Sequence, residues 1–297
     1  MVWGDMPIVF DNVTYIYNKG TPMEKAAIRG VSLSISEGEF IAVSGNAGSG
    51  KSTFLQLLGG LLKPASGSIT SSPLLSCSRS LSIRERAGVR VVRGILCNGV
   101  GVVFQSPEKQ FFDVTVYGDL SFPLRRAGVP EEEIEERARE ALGSVDIDFQ
   151  AYRDRSPFEL SGGEKRRVAI AAILALDPEV IALDEPLAGL DSKGKSEIIR
   201  ELKRLQREKG KTVVIATQEW DTVSRVCDRV VLLENGGLAG DGRADIMKER
   251  ISGMSPIPSL VKALRRKGVD LGEGVFDAGE ALLRIKGEAE KVVDTNG

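Results

Sequence analysis

The string GNAGSGKS, from Gly45 to Ser52, constrains this chain more than any other feature. It follows the apolar run 40–44 and opens a helical pattern over 51–62, which is the strand, turn and helix context of a phosphate-binding loop. Glycines let the backbone amides of Gly45, Asn46, Ala47, Gly48, Ser49 and Gly50 turn inward around phosphate oxygens, and the helix N-terminus adds a favourable dipole. In such a cradle Lys51 reaches the β- and γ-phosphates, Ser52 ligates magnesium, and Thr53 follows on the first helical turn. Read without that context, the string is a glycine-rich turn.

Further along, the short and nearly all-apolar runs 100–104, 180–183, 212–216 and 230–233 read as strands buried on both faces. Helical patterns at 131–143, 162–176, 193–209 and 220–227 separate most of them, giving an α/β fold with a mainly parallel sheet core. Ahead of it, residues 8–17 and the alternating Val31, Leu33 and Ile35 read as an antiparallel β subdomain. With 297 residues there is room for one large domain, expected over 6–244, and a small C-terminal appendage over 245–297 broken by Pro256, Pro258, Gly268, Gly272 and Gly274. A helical subdomain is expected over about 113–176. The serine-rich, then arginine-rich stretch 71–98 reads as a surface insertion and a solvated loop.

Two further strings carry chemistry. VIALDE is an apolar strand ending in carboxylates: Asp184 is placed to reach the magnesium shell, and Glu185 to polarise an attacking water, an effect worth about 10²–10⁴ in rate. An aspartate and glutamate after a strand also serve as a helix cap. In LSGGE, Ser161 and Glu164 match a capping box, while Ser161 and the bare backbone of Gly162 and Gly163 open a helix that could grip the γ-phosphate presented by another subunit. Both readings of LSGGE hold together.

GNAGSGKS, Gln105 in VVFQ, LSGGE, VIALDE and Asp191 in AGLD together resemble the ABC ATPases, over roughly residues 8–242. That resemblance implies a P-loop NTPase of ABC type that hydrolyses ATP with Mg²⁺, in a head-to-tail dimer enclosing each ATP between one subunit's P-loop and the other's LSGGE. It also implies that Gln105 is the Q-loop residue, touching magnesium and linking it and the attacking water to a transmembrane partner, and that Asp191 lies in the D-loop, where the two subunits meet. Tyr17 is similar in position to the aromatic that stacks on adenine; Tyr15, two residues away on the same strand face, competes for that role. Either tyrosine also reads as an ordinary strand residue.

A finer resemblance is to the energy-coupling factor ATPases, carried by YNKGTPMEKAAI, VVFQSPEKQFFDVTVYGDL and RSPFELSGGEKRRVAIAAILALDPEV. It implies a second ABC ATPase subunit, like or unlike, on a transmembrane scaffold protein that shares substrate-capture membrane proteins for vitamins or transition-metal ions. Residues 106–117 would then lie by the groove that receives the scaffold's coupling helices. One departure stands out: where that family has a histidine after the strand 212–216, this chain has Gln218 and no histidine anywhere. Gln105 and Gln218 are expected to orient, beside Glu185.

The histidine-free composition excludes His-based triads and most zinc sites. Cys77, Cys97 and Cys227 are too widely spaced for a disulfide framework or CxxC metal site, and read as reduced thiols. The apolar stretch 168–176 is about half a membrane span, and Met1 to Phe10 lacks a basic region followed by a long apolar segment. A soluble, cytoplasmic protein is expected, peripheral on the inner membrane face. With 40 basic against 42 acidic residues there is no global attraction to nucleic acid, and none is expected as a partner. Two other readings remain: a soluble ABC ATPase acting on nucleic acid or the ribosome, opposed by single motif copies and no long heptad segment, and a weakly hydrolytic regulatory subunit, suggested by Gln218.

Overall fold

A computed structural model describes residues 8–71, 96–97, 99–105, 111–218, 226–244 and 246–247, with the single positions 264 and 285. Its main sheet contains β3 (Phe40–Ser44), β5 (Leu96–Cys97), β6 (Val100–Val103), β7 (Val180–Asp184), β8 (Thr212–Ala216), β9 (Arg229–Glu234) and β10 (Gly237–Arg243), in the order β10-β9-β3-β8-β7-β6-β5. The inner neighbours β9, β3, β8, β7 and β6 run parallel, and β10 and β5 close the two edges antiparallel.

The inner strands are apolar along most of their length because the sheet is covered on both faces. Phe40, Ala42, Ile181, Leu183, Val213, Ile215, Val230 and Leu232 face one core. Their alternates Ile41, Val43, Val180, Ala182, Val214, Ala216, Val231 and Leu233 face the other. Over the second face lie α1 (Lys51–Leu58) and an antiparallel sheet of β1 (Ile8–Tyr17), β2 (Lys25–Ile35) and β4 (Ser66–Thr70), ordered β2-β1-β4. Phe10 of β1 stacks on Phe54 of α1 at 4.8 Å between ring centres, and full burial of a ring like Phe54 stabilises by roughly 2–3 kcal/mol.

The first face carries the helices: α2 (Val116–Arg126), α3 (Glu131–Gly143), α4 (Phe149–Tyr152), α5 (Gly162–Leu174) and α6 (Ser192–Lys209). Helix α2 has no counterpart among the helical patterns of the sequence, because Gly118 and Pro123 interrupt its periodicity. It forms because Val116, Leu120 and Leu124, spaced four apart, are fully buried, and because the Thr115 hydroxyl caps it by accepting from Gly118 N at 3.0 Å. Helix α1 ends at Leu58 instead of 62, where Gly59 and the left-handed Gly60 stop it.

The end of the stretch expected to be a surface insertion is an edge strand: β5 pairs antiparallel with β6. Residues 72–95 and 98 lie outside the described residues, as does most of the expected appendage over 245–297. Met247, beyond the expected boundary at 244, is buried in the same core as the helices. The expected helix 220–227 lies outside the described residues up to 225, and Cys227 at its end is a buried thiol in no helix, pushed up to about 12 by burial.

Candidate active site

Parallel strands place their C-terminal ends along one edge, and the chemistry-bearing loops follow β3, β8 and β7, which are neighbours in that order. The loop after β3 is glycine-rich for steric reasons. Gly45 has φ 148° and a Cβ there would meet Leu233 O at 2.2 Å; Gly50, at φ 104°, would drive one to 2.5 Å from Ala27 O. Lys51 is buried, and its ammonium donates to Gly45 O at 2.7 Å and Asn46 O at 3.1 Å, curling the loop around itself. Asn46, Ala47 and Gly48 stay exposed at the loop's crest, while Ser49 is buried beneath it.

Asp184 ends β7 and Glu185 follows in the left-handed region, φ 47°, a conformation costing a residue with a Cβ about 1–2 kcal/mol. Glu185 N donates to Ala216 O at 2.8 Å. Its carboxylate Oε2 accepts from the Thr217 hydroxyl at 3.1 Å and from Gln218 N at 3.3 Å, both in the loop after β8. The other oxygen, Oε1, is buried with no protein partner among the described residues, and so is Ser49 Oγ.

Burial raises the pKa of Glu185, against the Gln218 and Thr217 hydrogen bonds and the Lys51 charge, with Asp184 adding to the rise. Asp184 is likewise raised by burial, opposed by a hydrogen bond from the Ser52 side chain and by Lys51. Lys51 is lowered by burial and partly restored by Glu185 and Asp184. One cation and two carboxylates thus share a poorly hydrated pocket in which each charge supports its opposite.

Of the residues singled out in the sequence, the structure brings Gly45–Thr53, Asp184, Glu185 and Gln218 together, and joins Tyr17 to them. The Tyr17 hydroxyl and Thr53 Oγ1 lie 3.2 Å apart, so this tyrosine borders the loop's helix. Tyr15 packs against the core and meets Tyr17 edge-on at 4.8 Å. Gln105 and Gln218 have exposed side chains.

The LSGGE residues form a separate cluster. Ser161 caps α5, its Oγ accepting from Glu164 N at 3.3 Å while Glu164 Oε2 accepts from Ser161 N at 2.8 Å, so the capping box is present. Glu164 Oε1 also accepts from the Tyr152 hydroxyl at 2.5 Å, and these hydrogen bonds, that with the Ser161 side chain first, hold Glu164 down to about 2. A Cβ on Gly162 would meet nothing within 4 Å, so its own chain does not require a glycine there. Asp191 caps α6, with Oδ1 accepting from Gly194 N at 2.8 Å.

Three partners went unnoticed in the sequence. Thr217 and Tyr152 are ordinary residues whose roles appear only when loops meet. Arg166 did carry a signal: a cation near the start of a helix opposes the macrodipole and needs acceptors of its own. It finds them in the carbonyls of Gln105, Glu185, Pro186 and Ala188.

A parallel sheet whose strands end in an anion-binding glycine loop and an apposed aspartate and glutamate defines a P-loop nucleotide-binding domain. The profile of the family described as ABC transporter matches residues 28–188. The energy-coupling factor transporter ATP-binding protein EcfA2 of Clostridium perfringens is 38% identical over 290 residues, covering 94% of this chain and 98% of that one. Its namesake in Streptococcus pneumoniae strain D39 is 42% identical over 271 residues, covering 89% and 94%. Among solved structures, cbiO1 from Clostridium perfringens, described as part of the ABC transporter complex cbiONQ, is similar with TM-score 0.66 and 32% identity, covering 87% of this chain and 98% of that one. The ATP-binding cassette MJ0796, solved as a dimer in a post-hydrolysis state bound to ADP and Pi, gives TM-score 0.65 and 31% identity, covering 80% and 98%. The chain belongs to the ATP-binding proteins of ABC transporters, in the energy-coupling factor group.

Proposed function

We propose that this chain is the ATP-hydrolysing motor of an energy-coupling factor importer, working as half of an ATPase dimer beneath a transmembrane scaffold and a substrate-capture protein for a vitamin or transition-metal ion. The observation that carries the reading is the meeting of Lys51, at the start of the helix after β3, with Asp184 and Glu185, at the end of β7, in a chain of this family.

In this reading the amides of Gly45–Thr53 and the Lys51 ammonium hold the phosphates of ATP, with Tyr17 beside the adenine. Ser52 and Asp184 would hold Mg²⁺: a hydroxyl and a carboxylate already joined by a hydrogen bond are the hard oxygen donors this ion takes, and Gln105 would join them. When bound, the metal neutralises charge on the β- and γ-phosphates. Glu185 is the polarising base. Oε2 is held by Thr217 and Gln218, leaving Oε1, without a protein partner among the described residues, to accept a proton from water as the water's oxygen bonds to the γ-phosphorus and the bond to ADP breaks. Burial raises the basicity of this carboxylate, and the two donors and the Lys51 charge oppose the rise.

Ser161, Gly162 and Gly163 would close the partner subunit's site, which is consistent with the open space in front of Gly162, and Asp191 would lie where the two subunits meet. The face toward the scaffold is read around α2, where Val114 and Phe112 are exposed, the Phe112 ring lies 4.7 Å from that of Phe122, and Arg126 lies over the Phe122 ring. Among the described residues no helix is long and apolar enough to cross a membrane; in this reading the chain attaches peripherally, on the cytoplasmic face, through the scaffold.

Gln218 favours a second reading, a slow site that mainly holds the dimer closed, since a neutral amide supplies no imidazolium charge. Mild-detergent purification of the tagged full-length chain from its own membranes, with mass spectrometry and Mg²⁺-dependent ATPase assay of the complex, tests the proposal. Polytopic membrane proteins and phosphate release are expected. Ribosomes or nucleic acid in their place would overturn it, and a stable complex without turnover would leave the regulatory reading.

A further inference from the structure

Arg166 sits one turn inside α5, half-buried, and its guanidinium gathers main-chain carbonyls from two segments far apart in sequence. Nη1 donates to Glu185 O at 3.1 Å, to Pro186 O at 3.2 Å and to Ala188 O, while Nη2 donates to Gln105 O at 3.1 Å. The cost of a cation near the positive end of a helix is offset by this ring of carbonyl dipoles.

Glu185 is pinned from both sides. Its N–H goes to Ala216 of β8, its carboxylate to Thr217 and Gln218, and its carbonyl to Arg166 of α5. A left-handed φ of 47° persists in a residue with a Cβ when its surroundings over-determine it, and Arg166 supplies the constraint on the C-terminal side. The same planar fork fixes the main chain of Gln105 relative to that of Glu185, a two-pronged geometry that an ammonium cannot reproduce.

We infer that Arg166 is a positioning residue for ATP hydrolysis: it holds Glu185 and Gln105 in one rigid frame and ties that frame to the helix that begins at Ser161. The helix start that would face the partner's nucleotide and the loop that would polarise water in this chain's own site then move as one body. This rests on the proposed roles of Glu185 and Gln105.

The test is single-site turnover by the full-length chain in its purified transporter complex, with any partner ATPase carrying a disabled catalytic glutamate. Arg166→Met is expected to lower kcat about 10²-fold with KM for ATP nearly unchanged, since misplacement by about 1 Å costs that much. Arg166→Lys, which keeps the charge and the helix, should recover part of the loss and stay about 10-fold below the parent. Placed on Glu185→Gln, Arg166→Met should cost much less than it does alone, because the carboxylate it positions has already been removed and only Gln105 is left to be misplaced. An unchanged kcat in both Arg166 variants overturns the inference, as does a KM that rises in step with the loss, or a full second loss on the Glu185→Gln background. Parental turnover in Glu185→Gln alone strikes instead at the assignment of Glu185, and is thereby distinguished from failure of Arg166 itself.

Discussion

The Glu185 carboxylate is divided in use: one oxygen is spent on Thr217 and Gln218 N, and the other is buried and free of protein partners among the described residues. Gln218 therefore contributes to Glu185 through its main chain, while its side chain is exposed and, in the proposed reading, is left to meet the γ-phosphate. Replacing that side chain by one that carries charge should strengthen the contact without disturbing the carboxylate. Gln218→His is expected to raise single-site turnover about tenfold, a charge-assisted hydrogen bond being roughly twice as strong as a neutral one. The rate is read by phosphate release with the partner's glutamate disabled; an equal or lower rate would show that the site has adapted to an amide.

At the scale of elements, helix α2 carries a buried carboxylate whose role is local. Asp119 Oδ1 accepts from Phe112 N at 3.0 Å and Asp113 N at 3.3 Å, bracing the segment that leads into the helix, while Oδ2 is buried with no partner among the described residues. Burial, opposed by those two amides, pushes Asp119 up to about 6. A carboxyl raised on folding binds protons more tightly in the native state, so its contribution to stability falls as pH rises from about 4 to about 6 and is constant above about 7, by at most about 3 kcal/mol in all. Urea unfolding of the full chain at stepped pH should show Asp119→Asn gaining on the parent across that window alone. A gap independent of pH would mean that Asp119 titrates alike in both states.

At the scale of the whole molecule, the start of the LSGGE helix is held by bonds to its own neighbours, and Arg166 one turn further in ties that helix to the Glu185 loop. Tyr152 and Ser161 hold Glu164, and Asp191 caps α6, so the proposed second half of each ATP site is built rigidly before any partner arrives. Binding without hydrolysis should then trap the closed pair. Glu185→Gln is expected to retain ATP binding and, with ATP and Mg²⁺, to move on gel filtration to the volume of an ATPase dimer, alone or with its partner subunit. Turnover of that variant should fall about 10²-fold or more. A variant that stays monomeric while saturated with ATP would remove the head-to-tail arrangement from the proposal.

Much of this was legible in the sequence, because the deciding constraints are local. GNAGSGKS reads as a phosphate cradle since turn geometry demands glycine at Gly45 and Gly50, and the all-apolar runs read as doubly covered strands since the apolar positions of β3, β7 and β8 face one core or the other. LSGGE announced its capping box because the bonds span three residues. Tertiary structure alone decided what required distant segments to meet. It put Tyr17 against Thr53 and Tyr15 against the core, formed α2 across Pro123 through burial of Leu120 and Leu124, and made β5 an edge strand where a loop was expected. It also set Arg166 against the carbonyls of Gln105 and Glu185, 61 and 19 residues away in sequence, a relation that no local pattern encodes because it exists only once the sheet has brought their loops to one edge.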